Sequence, residues 1–302
     1  MRVSSRIGSI VILILVTGAL AQNAHSSRPA EQAGLPTAAS PVTAPTQGPW
    51  TADRIMARVA ENQDKAEKLR SEYIYEQRVR IVLHKPHGKL TREETANYHV
   101  TPSAEASEKK LEKLTGRYLA KGKYLDFEGE PVPEPDSLDG QLVQQFRDDF
   151  VNSKTKDGLA KDLFPLTSAE QESMEFRLVG EETVDGRAAY RVAFRPKDND
   201  EITWAGDAWI DKEEFQPVYV TTKLSRRIPF FVRTMFGTDL PGLGFSVHYR
   251  RQPDGVWFPT SFGTEFRLRA IFFINRDIAI SLENQEFERT HVKTRVDLVA
   301  PE

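Results

Sequence analysis

The spacing of apolar residues changes period several times along the chain. From Ala52 to Lys68, the residues Ile55, Met56, Val59, Ala66 and Leu69 recur at helical spacing, with Thr51 as cap and Asp53 in the first turn. The period then drops to two. In "SEYIYEQRVRIVL", Tyr73, Tyr75, Val79, Ile81 and Leu83 share one face and Glu76, Arg78 and Arg80 the other. This predicts a long half-buried strand. "KPHG" (Lys85–Gly88) is turn chemistry, and "KLTREETANYHV" reads as the hairpin partner.

The middle of the chain is less periodic. "SAEASEKKLEKLTGRYL" reads as a short polar helix, and "KYLDFEGEPVPEPDS" as a loop with extended pieces. "SLDGQLVQQFRDDFV" predicts a second helix, capped by Asp136 or Ser137. Its Leu138, Leu142, Phe146 and Phe150 lie at four-residue spacing, and Gly140 falls inside it.

From Glu175 onward the pattern is a β-meander. Tyr190, Val192 and Phe194 face one way and Arg191 and Arg195 the other. "TWAGDAWIDKEEFQPVYVTTKL" gives two strands joined at "DKEE". The next hairpin turns at Pro253-Asp254-Gly255, with Phe245, Val247 and Tyr249 on one face and Ser246, His248 and Arg250 on the other. In the last strand Phe272, Ile274, Ile278, Ile280 and Leu282 are in phase, interrupted by Arg276. Strands at about ten-residue spacing with turn signals between them predict a large antiparallel sheet. Its apolar face must be covered by helices, a second sheet or a ligand.

One connection is unusually apolar. "RRIPFFVRTMFGTDLPGLGF" (Arg226–Phe245) links two strands and carries Ile228, Phe230, Phe231, Met235 and Phe236. Pro229 suits a first helical turn, after which Phe231, Val232, Met235 and Phe236 share one face. Phe230 points to the side of Arg226 and Arg233, an arrangement that suits a membrane surface or a partner. Core segment, lid and membrane-touching tip all remain open for this stretch.

The first residues bear on compartment. Arg2 and Arg6 precede the apolar "IGSIVILILVTGALA", which ends in an A-x-A site. The run is shorter than the ~20 residues of a spanning helix, so residues 1–21 are expected to be a signal peptide cut after Ala21, with an uncleaved anchor as the rival. Residues 22–50 are rich in Pro, Ala, Ser and Thr without apolar period, the composition of a disordered tether. Residues 51–302 are expected to form the folded domain. The chain has no cysteine, which removes disulfides and a lipid-modified cysteine anchor. The net charge of −3, with both signs interspersed, offers no field for nucleic acid.

Catalytic chemistry is hard to find. The histidines are His25, His84, His87, His99, His248 and His291, and none sits beside a nucleophile in a recognisable setting. "HKPH" lacks an evident third metal ligand and reads as a solvated turn. "FGTDLPGLGF" is glycine-rich, but no lysine follows it. The pairs Glu93-Glu94 and Glu213-Glu214 read as turn or surface charge. Trp204, Trp209 and Trp257 read as core or edge residues. Neither metal nor cofactor is expected.

Gly186, Tyr190 and Val192, followed by Trp209-Ile210-Asp211 and then Pro217-Val218, give the order G-x-x-x-Y-x-V, W-I-D, P-V. With "PDGVWFPTSF" after them, these motifs resemble the lipoprotein-carrier superfamily of periplasmic proteins over about Ala52 to Glu288. The resemblance implies an α+β fold: a large antiparallel, incompletely closed β-barrel wrapped over a few helices, with a hydrophobic cavity between. It also implies a non-catalytic periplasmic protein whose partners are a lipid, acyl-chain or lipoprotein cargo and, transiently, a membrane surface or envelope protein. The chain departs from the small carriers in its tether, in an extra helical and loop segment at about 103–173, and in lacking a cysteine after the signal core. The expected cavity-facing set is Tyr190, Val192, Phe194, Val218, Val220, Phe245, Val247, Tyr249, Phe266 and Leu268. The expected lid or membrane contact is Arg226, Ile228, Phe230, Phe231, Arg233, Met235 and Phe236. The rivals are an envelope interaction module without a small ligand and, more remotely, a hydrolase using Asp207 and Asp211. A transmembrane barrel is disfavoured by the charge on the outward strand faces.

Overall fold

The computed structural model describes residues 49–102, 107–152, 164–198, 204–224, 243–270 and 274–290. Its helices are α1 (Ala52–Arg70), α2 (Leu138–Asn152) and the single turn α3 (Ser168–Gln171). The strands are β1 (Tyr73–His84), β2 (Leu90–Pro102), β3 (Ser107–Ala120), β4 (Lys123–Glu128), β5 (Met174–Val184) and β6 (Arg187–Pro196). They continue with β7 (Trp204–Asp211), β8 (Pro217–Leu224), β9 (Gly244–Arg251), β10 (Trp257–Ala270) and β11 (Ile274–Arg289).

All eleven strands form one sheet in the order β4-β3-β2-β1-β11-β10-β9-β8-β7-β6-β5, antiparallel at each pairing. The first and last strands, β1 and β11, meet in its middle, and β4 and β5 are its edges. The predicted fold class therefore holds: an incompletely closed antiparallel barrel with a few helices. Turn chemistry fixes the hairpins locally. Asp185 and Gly186 both take positive φ between β5 and β6, the two-residue geometry that matches strand twist.

The register lines up the apolar positions. Leu178, Val192, Ala208, Val220, Val247, Phe262, Leu282, Val79, Ala96 and Leu114 pair successively from β5 to β3. This gives one apolar row running across ten strands on a single face, called the inner face below. Alternation along each strand places Arg78, Arg80, Arg191 and His248 on the other face.

The helices pack on the inner face. Thr51 caps α1 by accepting from Arg54 N at 3.4 Å. Ile55, Met56, Val59 and Ala66 are buried as expected, but Leu69 is 38% exposed and Arg70 takes the inward position. Arg70 donates to Gln63 Oε1 at 3.3 Å and to the Trp257 carbonyl at 3.2 Å, tying the end of α1 to β10. Leu142, Val143 and Phe146 of α2 join the same apolar cluster.

The segment expected to be a polar helix is strand β3, paired with β2 from Arg92↔Tyr118 to Pro102↔Ser107. Its Lys, Glu and Leu are good helix formers, but a long ladder with β2, broken once between Asn97 and Tyr98, outweighs propensities worth tenths of a kcal/mol each. The following stretch, read as a loop with extended pieces, contains β4. Strands thus occupy much of the region expected to be helix and loop.

Gly140 has a specific cause. Ser137 caps α2, its Oγ accepting from Gly140 N at 3.1 Å, and the preceding chain folds back over that turn. A Cβ at Gly140 would collide with the Glu134 carbonyl. Gly→Ala inside a helix normally stabilises by up to about 1 kcal/mol. Here Gly140→Ala is expected to destabilise by about 1–3 kcal/mol, the range for overpacking, as read by equilibrium urea unfolding.

Candidate functional site

The inner face contains the ten residues expected to face a cavity. Tyr190, Val192 and Phe194 of β6, Val218 and Val220 of β8, Phe245, Val247 and Tyr249 of β9, and Phe266 and Leu268 of β10 are all buried in one apolar cluster. Val192, Val220 and Val247 lie in the cross-sheet row itself. Aromatic contacts knit the rest. Phe245 meets Trp204 edge-on at 4.8 Å and stacks on Phe262 at 5.4 Å, and Phe266 meets Phe146 of α2 edge-on at 6.2 Å. The lid candidates Arg226, Ile228, Phe230, Phe231, Arg233, Met235 and Phe236 lie outside the described residues, as do the expected signal peptide and most of the tether.

The opposite half of the inner face carries polar groups among its apolar ones. On β2 the inward row is Arg92, Glu94, Ala96, Tyr98 and Val100, opposite Leu83, Ile81, Val79, Gln77 and Tyr75 of β1. Glu94 is 3% exposed, which corrects its reading as surface charge. Arg92 Nε donates to Glu94 Oε1 at 2.7 Å, and Arg147 Nη1 of α2 to Glu94 Oε2 at 3.3 Å. Arg92 also donates to the Pro133 carbonyl at 3.0 Å, and its guanidinium lies near the rings of Phe127 and Tyr118. One buried carboxylate therefore holds two guanidinium groups and pins α2 to β2. A second pair, Arg276 Nε to Asp139 at 2.8 Å, joins α2 to β11. Arg276, which breaks the apolar phase of the last strand, thus has a partner on α2. The alternation could have revealed both features, since a charged residue in phase with an apolar row must find a partner inside.

The acids considered for hydrolysis lie on separate arginines. Asp207 accepts from Arg191 at 3.2 Å on the outer face. Asp211 is buried at the β7–β8 turn, where it accepts from Arg187 at 2.6 Å and from the backbone N–H groups of Glu213 and Glu214. Burial alone would raise its pKa, but these donors outweigh it and hold the carboxyl below its ordinary value. Glu214 accepts from Arg187, Arg251 and Trp257 Nε1, so it belongs to the same turn-bracing network. Trp204 and Trp257 are buried, whereas Trp209 stands on the outer face, donating to Glu182 at 2.8 Å. No group of three or more metal-ligating side chains occurs among the described residues. An open groove of about 460 Å³ runs over β8 to β11, lined mainly by outward residues such as Thr221, Ser246, Gly263 and Ser281.

No protein-family model and no curated protein matches the sequence. Among solved structures the chain is similar to a domain described as an outer membrane lipoprotein-sorting protein from Vibrio parahaemolyticus. That match has 12% identity and a TM-score of 0.35, covering 79% of this chain and 95% of that one. It is also similar to a DUF1329 family protein from Desulfovibrio piger, with 12% identity and a TM-score of 0.37, covering 81% and 95%. A LolA superfamily protein from Nitrosomonas europaea matches with 12% identity and a TM-score of 0.32, covering 81% and 96%. Nothing functional is carried over at this level of likeness.

Two outcomes follow from the charged groups. Glu94→Gln leaves two buried guanidinium groups without their carboxylate and is expected to cost about 3–5 kcal/mol in urea unfolding. Arg80→Gln, which breaks the outer-face pair with Glu93, is expected to cost under about 1 kcal/mol. A depressed carboxyl stabilises above the ordinary carboxylate range and loses that contribution as pH falls through its folded value. The stability gap between the wild type and Asp211→Asn is therefore expected to be widest near about pH 6 and to narrow towards about pH 3.

Proposed function

We propose that the protein is a non-enzymatic periplasmic carrier that holds a lipid, an acyl chain or the lipid part of a lipoprotein against its inner face. The observation that supports this reading best is the apolar row through ten strands, flanked by the aromatic and β-branched residues of β6 and β8 to β10. The site has no catalytic residue in this reading, and export rests on the sequence of residues 1–21.

The inner face is covered in the free protein, because its residues are buried. Loading therefore exchanges contacts with the chain for contacts with cargo. Each large apolar side chain contributes ~1.5–3 kcal/mol when taken out of water, so the exchange is affordable only if covering and cargo are both apolar. The segment Arg226–Phe236 has that composition and joins the β8 and β9 arms of the face, which is why we assign it the role of lid and membrane contact.

Native mass spectrometry of the protein purified from the periplasm, followed by lipid extraction, is expected to show a bound species that leaves with organic solvent. A chain that is uniformly empty and also fails to take up the neutral dye N-phenyl-1-naphthylamine would overturn the carrier reading in favour of an envelope interaction module. The double change Phe230→Ser and Phe231→Ser is expected to abolish co-sedimentation with anionic phospholipid vesicles while leaving the urea midpoint unchanged.

A further inference from the structure

Of the two edges of the sheet, one is protected and the other is open. The β5 edge bulges between Leu178 and Gly180, carries Glu175, Arg177, Glu181 and Glu182, and has α1 and α3 against it. Bulges, charges and covering helices keep an edge from pairing with another chain. The β4 edge pairs with β3 in unbroken register from Thr115↔Glu128 to Ala120↔Lys123, and five of its six residues are exposed. Tyr124 and Leu125, at 48% and 45%, are the most exposed large hydrophobic side chains among the described residues. The strand is nonetheless held firmly. Lys121 and Gly122 both take positive φ in the two-residue turn that leads into it. Phe127 meets Tyr118 edge-on at 6.2 Å, in space left by Gly116, where a Cβ would strike its ring. Arg117 grips Asp126 through two hydrogen bonds. Gly129 N donates to the Leu114 carbonyl at 2.8 Å. Antiparallel alternation from that bond leaves the N–H and C=O groups of Tyr124, Asp126 and Glu128 pointing away from β3.

We propose that β4 is a self-pairing edge through which two copies of this chain join antiparallel, with the two-fold axis at Leu125. The proposal is independent of the carrier reading. Residues opposite each other in an antiparallel pair share a face, so a two-fold axis through β4 must pass through a residue paired with itself. An axis at Asp126 sets two carboxylates face to face, and an axis at Tyr124 engages less of the strand. The axis at Leu125 sets Leu125 on Leu125, Tyr124 opposite Asp126 and Lys123 opposite Phe127, each across the two copies. These are an apolar pair, a phenol with a carboxylate acceptor, and a cation with a ring. In the same register the outward main-chain groups of Tyr124 meet those of Asp126, so backbone and side chains favour one alignment. Asp126 also lines an open groove of about 660 Å³ on the outer face. The Tyr124 ring of the second copy can settle there in exchange for its 3.3 Å bond to the Leu90 carbonyl. The two sheets then continue into one another and their inner faces adjoin. A contact this short belongs to the small, reversible class of interfaces.

Sedimentation equilibrium of the full mature chain is expected to show a weight-average mass that rises towards two chains with concentration. Leu125→Glu puts two carboxylates on the axis and is expected to raise the dissociation constant by about tenfold or more, with the urea midpoint unchanged. Because the chain has no cysteine, single cysteine variants report the register. Leu125 and its copy form a non-hydrogen-bonded pair with Cα atoms ~4.5 Å apart, within disulfide reach. Leu125→Cys is therefore expected to give a covalent dimer under diamide, whereas Lys123→Cys, far out of register with its own copy, is expected to stay a monomer. One chain at every concentration, with no covalent Leu125→Cys dimer, overturns the proposal. A dimer that survives Leu125→Glu, or that cross-links as readily through Lys123→Cys, overturns the assignment to β4 in this register. Both exchanged side chains are exposed, and the wild-type mass decides the first outcome without any variant.

Discussion

The structure depends on register. Ten strands keep their inward apolar residues opposite one another, so that a single side-chain row crosses the sheet from Leu178 to Leu114. A slip of one residue at any pairing would turn a whole arm of the sheet inside out and bring arginines such as Arg78 and Arg191 into the apolar layer. The cost of burying them unpaired far exceeds the stability of a domain this size, so the row enforces its own alignment. Helices α1 and α2 then have one continuous surface on which to pack.

Much of this is legible in the chain because period two is a strong signal wherever one face is wet. The residues of β1, β6, β8 and β9 alternate cleanly, and their inward sets are those found buried. The same signal fails for β3, where "SEKKLEKLTGRYL" carries charge on both faces and shows no apolar alternation. Only its partner β2 makes that segment extended, and a partner is not visible in a window of local sequence. Leu69 and Arg70 show a subtler failure. The inward stripe of α1 drifts with its 3.6-residue period, so the last turn buries an arginine that reaches the Trp257 carbonyl and leaves a leucine at the surface.

Glu94 belongs between these cases. Beside Glu93 it has the look of surface charge, yet it falls in phase with Ala96, Tyr98 and Val100. Phase proved the better guide than residue type. The interior is accordingly not uniform: hydrocarbon dominates from β6 to β10, while guanidinium, carboxylate and phenol groups gather where α2 crosses β1 and β2. The partner of Glu94 on α2 lies fifty-three residues away, so pattern alone indicates that a counter-charge is needed without naming it.

The pairing of β1 with β11 joins residues near 73 to residues near 289. Every other neighbouring pair in the sheet is consecutive in the chain. Two meanders can therefore assemble early and separately, but they become one surface only when the last strand arrives, at the entropic cost of closing a loop of about two hundred residues. Until then β1 and β10 each present a long unpaired edge, the form of backbone that invites mispairing with other chains. The seam at the centre of the finished sheet is thus the pairing with the longest loop to close, and a chain interrupted before its last strand cannot form it.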